Sequence, residues 1–258
     1  MQWMQSARPL QKYESAVMKR VVVTSIIGAA HTKLAEVTLP TIRAWASSMG
    51  ADVKVLEAVL PEHAGQTGHW AKFAIHGLLD VYEEALWLDA DIVASPRAPD
   101  IFEATGGALA AYPEGDVVER AGQFKEYYRL LRGHALTFGK QIRYFNSGVM
   151  VIPREARDIY KVPALEEIEL TTKLKREHPD RFFFDQNLLN ARIMETTHRI
   201  VPLSNRWNFM QVPSEAAGDH WEKRTEIAHL IHYAGLLACM EPDQVLDLAR
   251  ADLRKWGG

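Results

Sequence analysis

Residues 21–27 read Val-Val-Val-Thr-Ser-Ile-Ile and stop at Gly28, a largely apolar, β-branched run without the spacing of an amphipathic helix. A segment of this kind is at home in a strand covered on both faces, and such strands belong to sheets flanked by helices. From Lys33 to Met49 the spacing turns helical, with Gly50 as a stop, and Asp52 to Leu60 reads as a second strand. A punctuated loop from Pro61 to Gly68 follows, then a helical stretch from His69 to Tyr82 and the apolar run Ala85 to Val93. Strand, helix, strand, helix, strand predicts parallel pairing with right-handed crossovers. Ligands of such sheets bind beyond the carboxyl ends of the strands, where Thr24, Ser25 and Asp89 fall on this reading.

The second half is less regular. Ala108 to Tyr112, Gly148 to Ile152, Ile200 to Leu203 and His229 to Tyr233 read as strands. Glu119 to Arg132, Glu155 to Glu177 (interrupted near Val162-Pro163), Asp185 to Glu195 and Glu241 to Lys255 read as helices. With no internal repeat and no linker, residues 20–258 are expected to form one α/β domain, a mixed sheet flanked by helices, behind an N-terminal extension of residues 1–19.

Within the run Leu86-Trp87-Leu88-Asp89-Ala90-Asp91, two carboxylates stand two positions apart where a buried strand ends. Like charges that close repel unless a cation neutralises them, and a hard divalent ion that also carries a phosphorylated ligand would do so. An acidic turn is the plainer alternative. Three further segments put polar groups at strand ends. Asn146-Ser147-Gly148 precedes an apolar strand and offers amide and hydroxyl groups, or simply a turn. Asp185-Gln186 opens a helix, where Asp185 either caps the first turn or faces a polar pocket. His232, in His229-Leu230-Ile231-His232-Tyr233-Ala234-Gly235, either completes a metal site or sits in the core as a satisfied histidine. Imidazole beside carboxylates suits Mn²⁺ better than Ca²⁺.

Bulk properties narrow the function. A net charge of −3 with both signs mixed excludes the basic footprint of a nucleic-acid binder. A lone cysteine, Cys239, excludes an intrachain disulfide framework and a cysteine-based zinc site, and fits a reducing, cytoplasmic compartment. No apolar run is long enough to span a bilayer, and Met1 to Lys19 lacks the apolar middle of a secretion signal, so contact with a membrane would be peripheral.

Taken together, Leu88-Asp89-Ala90-Asp91, Phe145-Asn146-Ser147-Gly148, Asp185-Gln186 with Leu189-Asn190, Asn205-Arg206-Trp207-Asn208 and His232-Tyr233-Ala234-Gly235 resemble, in order and spacing, the glycosyltransferases of family 8 with the GT-A fold. The resemblance covers roughly residues 20–240. It implies a retaining transfer of a hexose from a nucleotide diphosphate sugar, UDP-linked in the first instance, to a saccharide, lipid-linked or glycan acceptor. It further implies that Asp89, Asp91 and His232 ligate Mn²⁺ or Mg²⁺, with the His232 motif closing at Gly235. Asn146 and Ser147 would lie beside the sugar, Asp185 would bind its hydroxyls, and Gln186 would lie near the anomeric carbon. Lys72 would bind the donor, Thr24 and Ser25 would meet the base and ribose, and Trp207 and Asn208 would line the pocket.

One position departs from the family pattern. Where a lysine usually touches the diphosphate, this chain has Ala238, and Lys72 and Arg143 are the candidate substitutes. The gap leaves room for a nucleotide-sugar-binding module without transferase activity. Asp89-Ala90-Asp91-Ile92-Val93 also matches the nucleophile loop of haloacid dehalogenase-type phosphatases. That loop, however, normally follows the first strand of its domain, and no later paired acidic motif is present.

Overall fold

The computed structural model describes residues 18–135 and 143–257; of the N-terminal extension only Met18 and Lys19 fall within them. The strands are β1 (Arg20–Ser25), β2 (Asp52–Leu56), β3 (Glu84–Leu88), β4 (Ile92–Ala94), β5 (Ala110–Tyr112), β6 (Asn146–Pro153), β7 (Val201–Pro202) and β8 (Leu230–His232). Among the described residues they form a six-stranded sheet in the order β2-β1-β3-β6-β5-β7 and a two-stranded sheet of β4 and β8. β1 pairs parallel with β2 and β3, as the alternation of the first 90 residues predicts, whereas β6 runs antiparallel between β3 and β5.

The helices are α1 (Ala29–Ser48), α2 (Ile75–Leu78), α3 (Ile101–Thr105), α4 (Ala121–Arg132), α5 (Leu165–Glu177), α6 (Phe184–Glu195), α7 (Gln211–Ala216), α8 (Arg224–Ile227) and α9 (Pro242–Lys255). They cover both faces of the sheet, so the middle residues of the central strands are apolar whichever way they point, and polar residues such as Thr24, Glu84, Asn146 and Ser147 fall near the strand ends. Val21, Val23, Ala85, Trp87, Met150 and Ile152 face one core with Trp70, Phe73 and, from α6, Leu188 and Leu189. Their neighbours Val22, Leu86, Leu88, Val149 and Val151 face the other, with Ile42 and Trp45 of α1, Phe102 and Trp207. This is the strict two-residue alternation of a strand, read on two buried faces at once.

Several boundaries differ from the sequence expectation. Residues 69–82 are not one helix: a 3₁₀ segment Gly68–Ala74 leads into the short α2. Trp70, Ala71, Lys72 and Phe73 are all buried, so this stretch is enclosed on every side and needs no amphipathic stripe. α1 begins four residues before Lys33, because Gly28 at φ 93° lets the chain leave β1 and enter the helix directly. β2 stops at Leu56, and residues 155–177 divide into a 3₁₀ segment Arg154–Tyr160 and α5. The apolar run 85–93 is two strands in two sheets. β3 pairs with β6, while β4 leaves to pair with β8, and the Asp89-Ala90-Asp91 turn joins them.

Candidate active site

That turn is held from three sides. The Asp89 amide donates to the Gly148 carbonyl (2.9 Å), which extends the β3–β6 ladder by one residue past Leu88. On α1, the Thr38 hydroxyl donates to the carbonyl of Ala90 (2.8 Å), and the Thr41 hydroxyl accepts the Ala94 amide (3.0 Å). On the far side Ile92 pairs with His232, and the Tyr233 amide donates to the Asp91 carbonyl (2.9 Å). Strand pairing therefore carries the imidazole to the aspartates across about 140 residues of chain. His232 Nε2 lies 3.1 Å from Asp91 Oδ1 and 3.8 Å from Asp89 Oδ2. One ligand atom from each of the three residues lies within 4.8 Å of the others.

Electrostatics within this group are mutual. Burial disfavours the imidazolium of His232, but Asp91 and then Asp89 outweigh it and raise the ring's pKa. Burial likewise pushes Asp91 up, and the neighbouring His232 reverses this and holds it below its ordinary value. A cation suits such a cluster, and the missing side chain of a glycine lets the imidazole and a carboxylate come together there. β6 presents Gly148, where a Cβ would stand 2.3 Å from His232 Cε1 and 3.0 Å from Asp89 Oδ2. Two carboxylates and an imidazole form a donor set suited to a divalent ion of the Mn²⁺ type.

A second cluster adjoins the first. Lys72 is buried, and its ammonium lies 2.5 Å from Asp185 Oδ2 and 3.5 Å from Asp89 Oδ1. It also donates to the carbonyl and the hydroxyl of Ser147 (3.1 Å each). Its three hydrogens are thus directed at acceptors of this chain. Burial disfavours the charge on Lys72, but Asp185 and Asp89 overcome this and raise its pKa; Lys72 in turn holds the buried Asp185 below the usual carboxylate range. Asp185 does not cap α6. It stands in the helix's first turn, and its Oδ2 accepts from Ser147 Oγ (2.8 Å) as well as from Lys72.

Gln186 and Asn146 interlock beside it. Gln186 Oε1 accepts from the Ser147 amide and from Asn146 Nδ2 (3.1 Å each), while Gln186 Nε2 donates to Glu114 Oε2 (3.3 Å). Glu114 also accepts from Asn146 Nδ2 (3.1 Å) and is paired with Arg120 (2.9 Å). Neither Glu114 nor Thr38 was expected from the sequence. A signal for Glu114 existed: Pro113-Glu114-Gly115 follows the strand Ala110–Tyr112, the same strand-end pattern that singled out Asn146 and Asp89.

The remaining candidates lie as follows. Thr24, next to last in β1, is buried with its hydroxyl without a partner among the described residues, and Ser25, which ends the strand, is half-buried. Gly235 adopts φ 77° where the chain turns after β8 into the 3₁₀ segment Leu236–Ala238. Trp207 is packed against Trp45 and His229 (ring centroids 6.2 and 4.6 Å) rather than joined to the polar network. Asn208, next to it, is wholly buried and bonds His232 and Asn146. Arg143 faces Asp116 at 3.6 Å.

The model of glycosyl transferase family 8 matches residues 35–237, which hold every one of these side chains except Thr24 and Ser25. The chain belongs to that family. Among solved structures, this family 8 chain is similar to a glycosyltransferase involved in the glycosylation of the major capsid of PBCV-1. The TM-score is 0.55 at 13% identity, over 90% of this chain and 99% of the other. An active-site mutant of LgtC is similar to the same degree, with a TM-score of 0.55 at 14% identity over 90% of this chain and 95% of the other. No curated protein sequence is significantly similar to the chain. The fold is thus the GT-A fold, a single mixed-sheet domain, and the protein is a glycosyltransferase. The phosphatase reading of the Asp89 loop is overturned, because the family match spans the loop and all the strands around it except β1. No helix among the described residues is long and apolar enough to cross a membrane.

Proposed function

We propose that this glycosyltransferase moves a hexose from a nucleoside diphosphate sugar, UDP-linked in the first instance, to a saccharide, lipid-linked or glycan acceptor with retention at the anomeric carbon. The carrying observation is the convergence of Asp89, Asp91 and His232, with one ligand atom each inside 4.8 Å, at the carboxyl end of β3. These residues would hold Mn²⁺ or Mg²⁺, and the bound ion would supply Lewis-acid stabilisation of the departing diphosphate. Reaction in the cytoplasm fits a chain whose one cysteine is free and exposed.

The chain's own groups divide the rest of the work. Thr24 and Ser25, at the end of the first strand, would meet the nucleoside. Asp185 is kept anionic by Lys72 and would accept hydroxyls of the transferred sugar beside Asn146 and Ser147. Gln186 Oε1 already accepts two hydrogen bonds, and an amide oxygen is a weak nucleophile. Its saturation supports attack on the same face as the leaving diphosphate, whose oxygen would take the acceptor's proton, over a covalent sugar on Gln186. Fixed dipoles in a water-poor site favour charge separation and limit hydrolysis of the donor. Lys72, whose ammonium lies 3.5 Å from Asp89 Oδ1, is the candidate to act in place of the missing lysine.

Asp89→Asn and Asp91→Asn are each expected to lower turnover by about 10²-fold or more in saturating Mn²⁺, with the fold unchanged, since each removes a charge that balances the ion. Sugar transfer at the wild-type rate in both variants would eliminate the metal assignment. Asp185→Ala is expected to lose transfer while binding of UDP with Mn²⁺ survives. Calorimetry that finds UDP binding abolished in this variant would contradict the division between sugar and nucleotide contacts.

A further inference from the structure

His232 can offer Nε2 to a cation only if its proton sits on Nδ1, and the surrounding amides decide where that proton goes. Two backbone N–H groups, which can only donate, anchor the deduction. The Gly148 amide points at Asn146 Oδ1 (2.9 Å), and the Ser147 amide at Gln186 Oε1 (3.1 Å), so both of these atoms are carbonyl oxygens. The other end of Asn146 is then an NH₂ group, and it faces two acceptors, Glu114 Oε2 and Gln186 Oε1 (3.1 Å each). Asn146 Oδ1 also meets the side chain of Asn208 at 2.8 Å, which must therefore present its NH₂ there. That leaves Asn208 Oδ1, an acceptor only, 2.7 Å from His232 Nδ1. The bond exists only if Nδ1 carries a hydrogen. Nε2 is left facing Asp89 and Asp91.

We propose that Asn208 is a positioning residue: through Asn146 it fixes the tautomer of His232, so that Nε2 keeps a lone pair for the cation. The role rests on the metal reading under Proposed function, and differs from a place in the pocket lining. Asn208 is wholly buried, and both ends of its amide are engaged within the protein. Groups that hold the far nitrogen of a ligating histidine commonly set metal affinity by about 10–100-fold. The relay also joins the two halves of the site. Asn146 holds Gln186 with one end and, through Asn208, His232 with the other.

The test measures the tautomer directly. Long-range ¹H–¹⁵N correlation of the imidazole nitrogens, in metal-free protein at a pH where the ring is neutral, is expected to show His232 protonated on Nδ1. In Asn208→Leu, the acceptors left to the ring proton among the described residues are the carboxylates facing Nε2, Asp91 at 3.1 Å and Asp89 at 3.8 Å. The variant is expected to shift to the Nε2–H form, and its Kd for Mn²⁺, read by electron paramagnetic resonance, is expected to rise by about 10–100-fold. An Nε2–H ring in the wild type, an unmoved tautomer in the variant, or an unchanged Kd would each overturn the proposal. The wild-type spectrum needs no metal and no variant. Wild-type protein that shows the Nδ1–H ring and yet binds no Mn²⁺ would refute both the metal reading and the proposed effect on affinity, while the assignment of the hydrogen bond would stand.

Discussion

Gly148→Ala is expected to lower sugar transfer by about 10²-fold or more and Mn²⁺ affinity by about 10–100-fold, although it adds one methyl group and removes no functional atom. The added carbon would stand 2.3 Å from His232 Cε1 and 3.0 Å from both Asp89 Oδ2 and Asn146 Oδ1, so a neighbour must move. The backbone of β6 cannot retreat. It is central in the sheet, with β3 on one side and β5 on the other, and the Gly148 carbonyl and amide are both bonded. The imidazole therefore gives way, and in turning it breaks the Asn208 bond and takes Nε2 off the aspartates. Overpacking of this kind typically costs about 1–3 kcal/mol, which leaves the protein folded at ordinary temperature. Gly77→Ala is the matched control: its Cβ would meet nothing within 4 Å, and it lies in α2, where alanine is the better helix former. Equal Mn²⁺ affinity in Gly148→Ala and Gly77→Ala, by calorimetry on folded protein, would mean that the seat of the His232 ring against Gly148 does not matter to cation binding.

The case of Gly148 indicates what a single sequence does and does not carry. The strands were legible where both faces are buried, because Val21 to Val23, Leu86 to Leu88 and Val149 to Ile152 have no polar residue to confuse the period. The acidic pair and His232 were legible as residues out of place at strand ends, and the family resemblance joined them. Boundaries failed where local period and burial part company, as in residues 70–73, all buried, and in the run 85–93, which changes sheets at Asp89. The hydrogen-bond relay was not legible at all. Asn208 and Asn146 are 62 residues apart, and their amides meet through the bridge of Phe209 to Ile231 of β8 and the pairing of β8 with β4 and of β6 with β3. For the same reason the partners of Lys72, whose ammonium faces Asp185, Asp89 and Ser147, were not legible either.

That arrangement leads to the largest expected effect on stability. Lys72→Met keeps an unbranched apolar stem but removes the ammonium, which lies 5.1 Å from the centroid of the Trp87 ring, and with it the positive charge. Asp185, which is 3% exposed, would then hold its carboxylate in the interior with the Ser147 hydroxyl as its remaining side-chain partner. Removing one member of a buried pair costs about 3–5 kcal/mol, chiefly because the other charge is stranded. The variant is therefore expected to lose about that much in urea unfolding at neutral pH, and to lose transfer. A second substitution separates the stranded charge from lost packing. Asp185→Asn is neutral and nearly the same shape, so the double variant Lys72→Met/Asp185→Asn is expected to regain most of the stability while remaining inactive. Residues in direct contact should be non-additive by about 0.5–3 kcal/mol, and here the sign is fixed: the two changes together should cost less than Lys72→Met alone. If the double variant is instead less stable than Lys72→Met, the ammonium does not act by compensating Asp185. The carboxylate would then be stabilised by the Ser147 hydroxyl, and Lys72 would be free to serve the diphosphate in place of the lysine absent at Ala238.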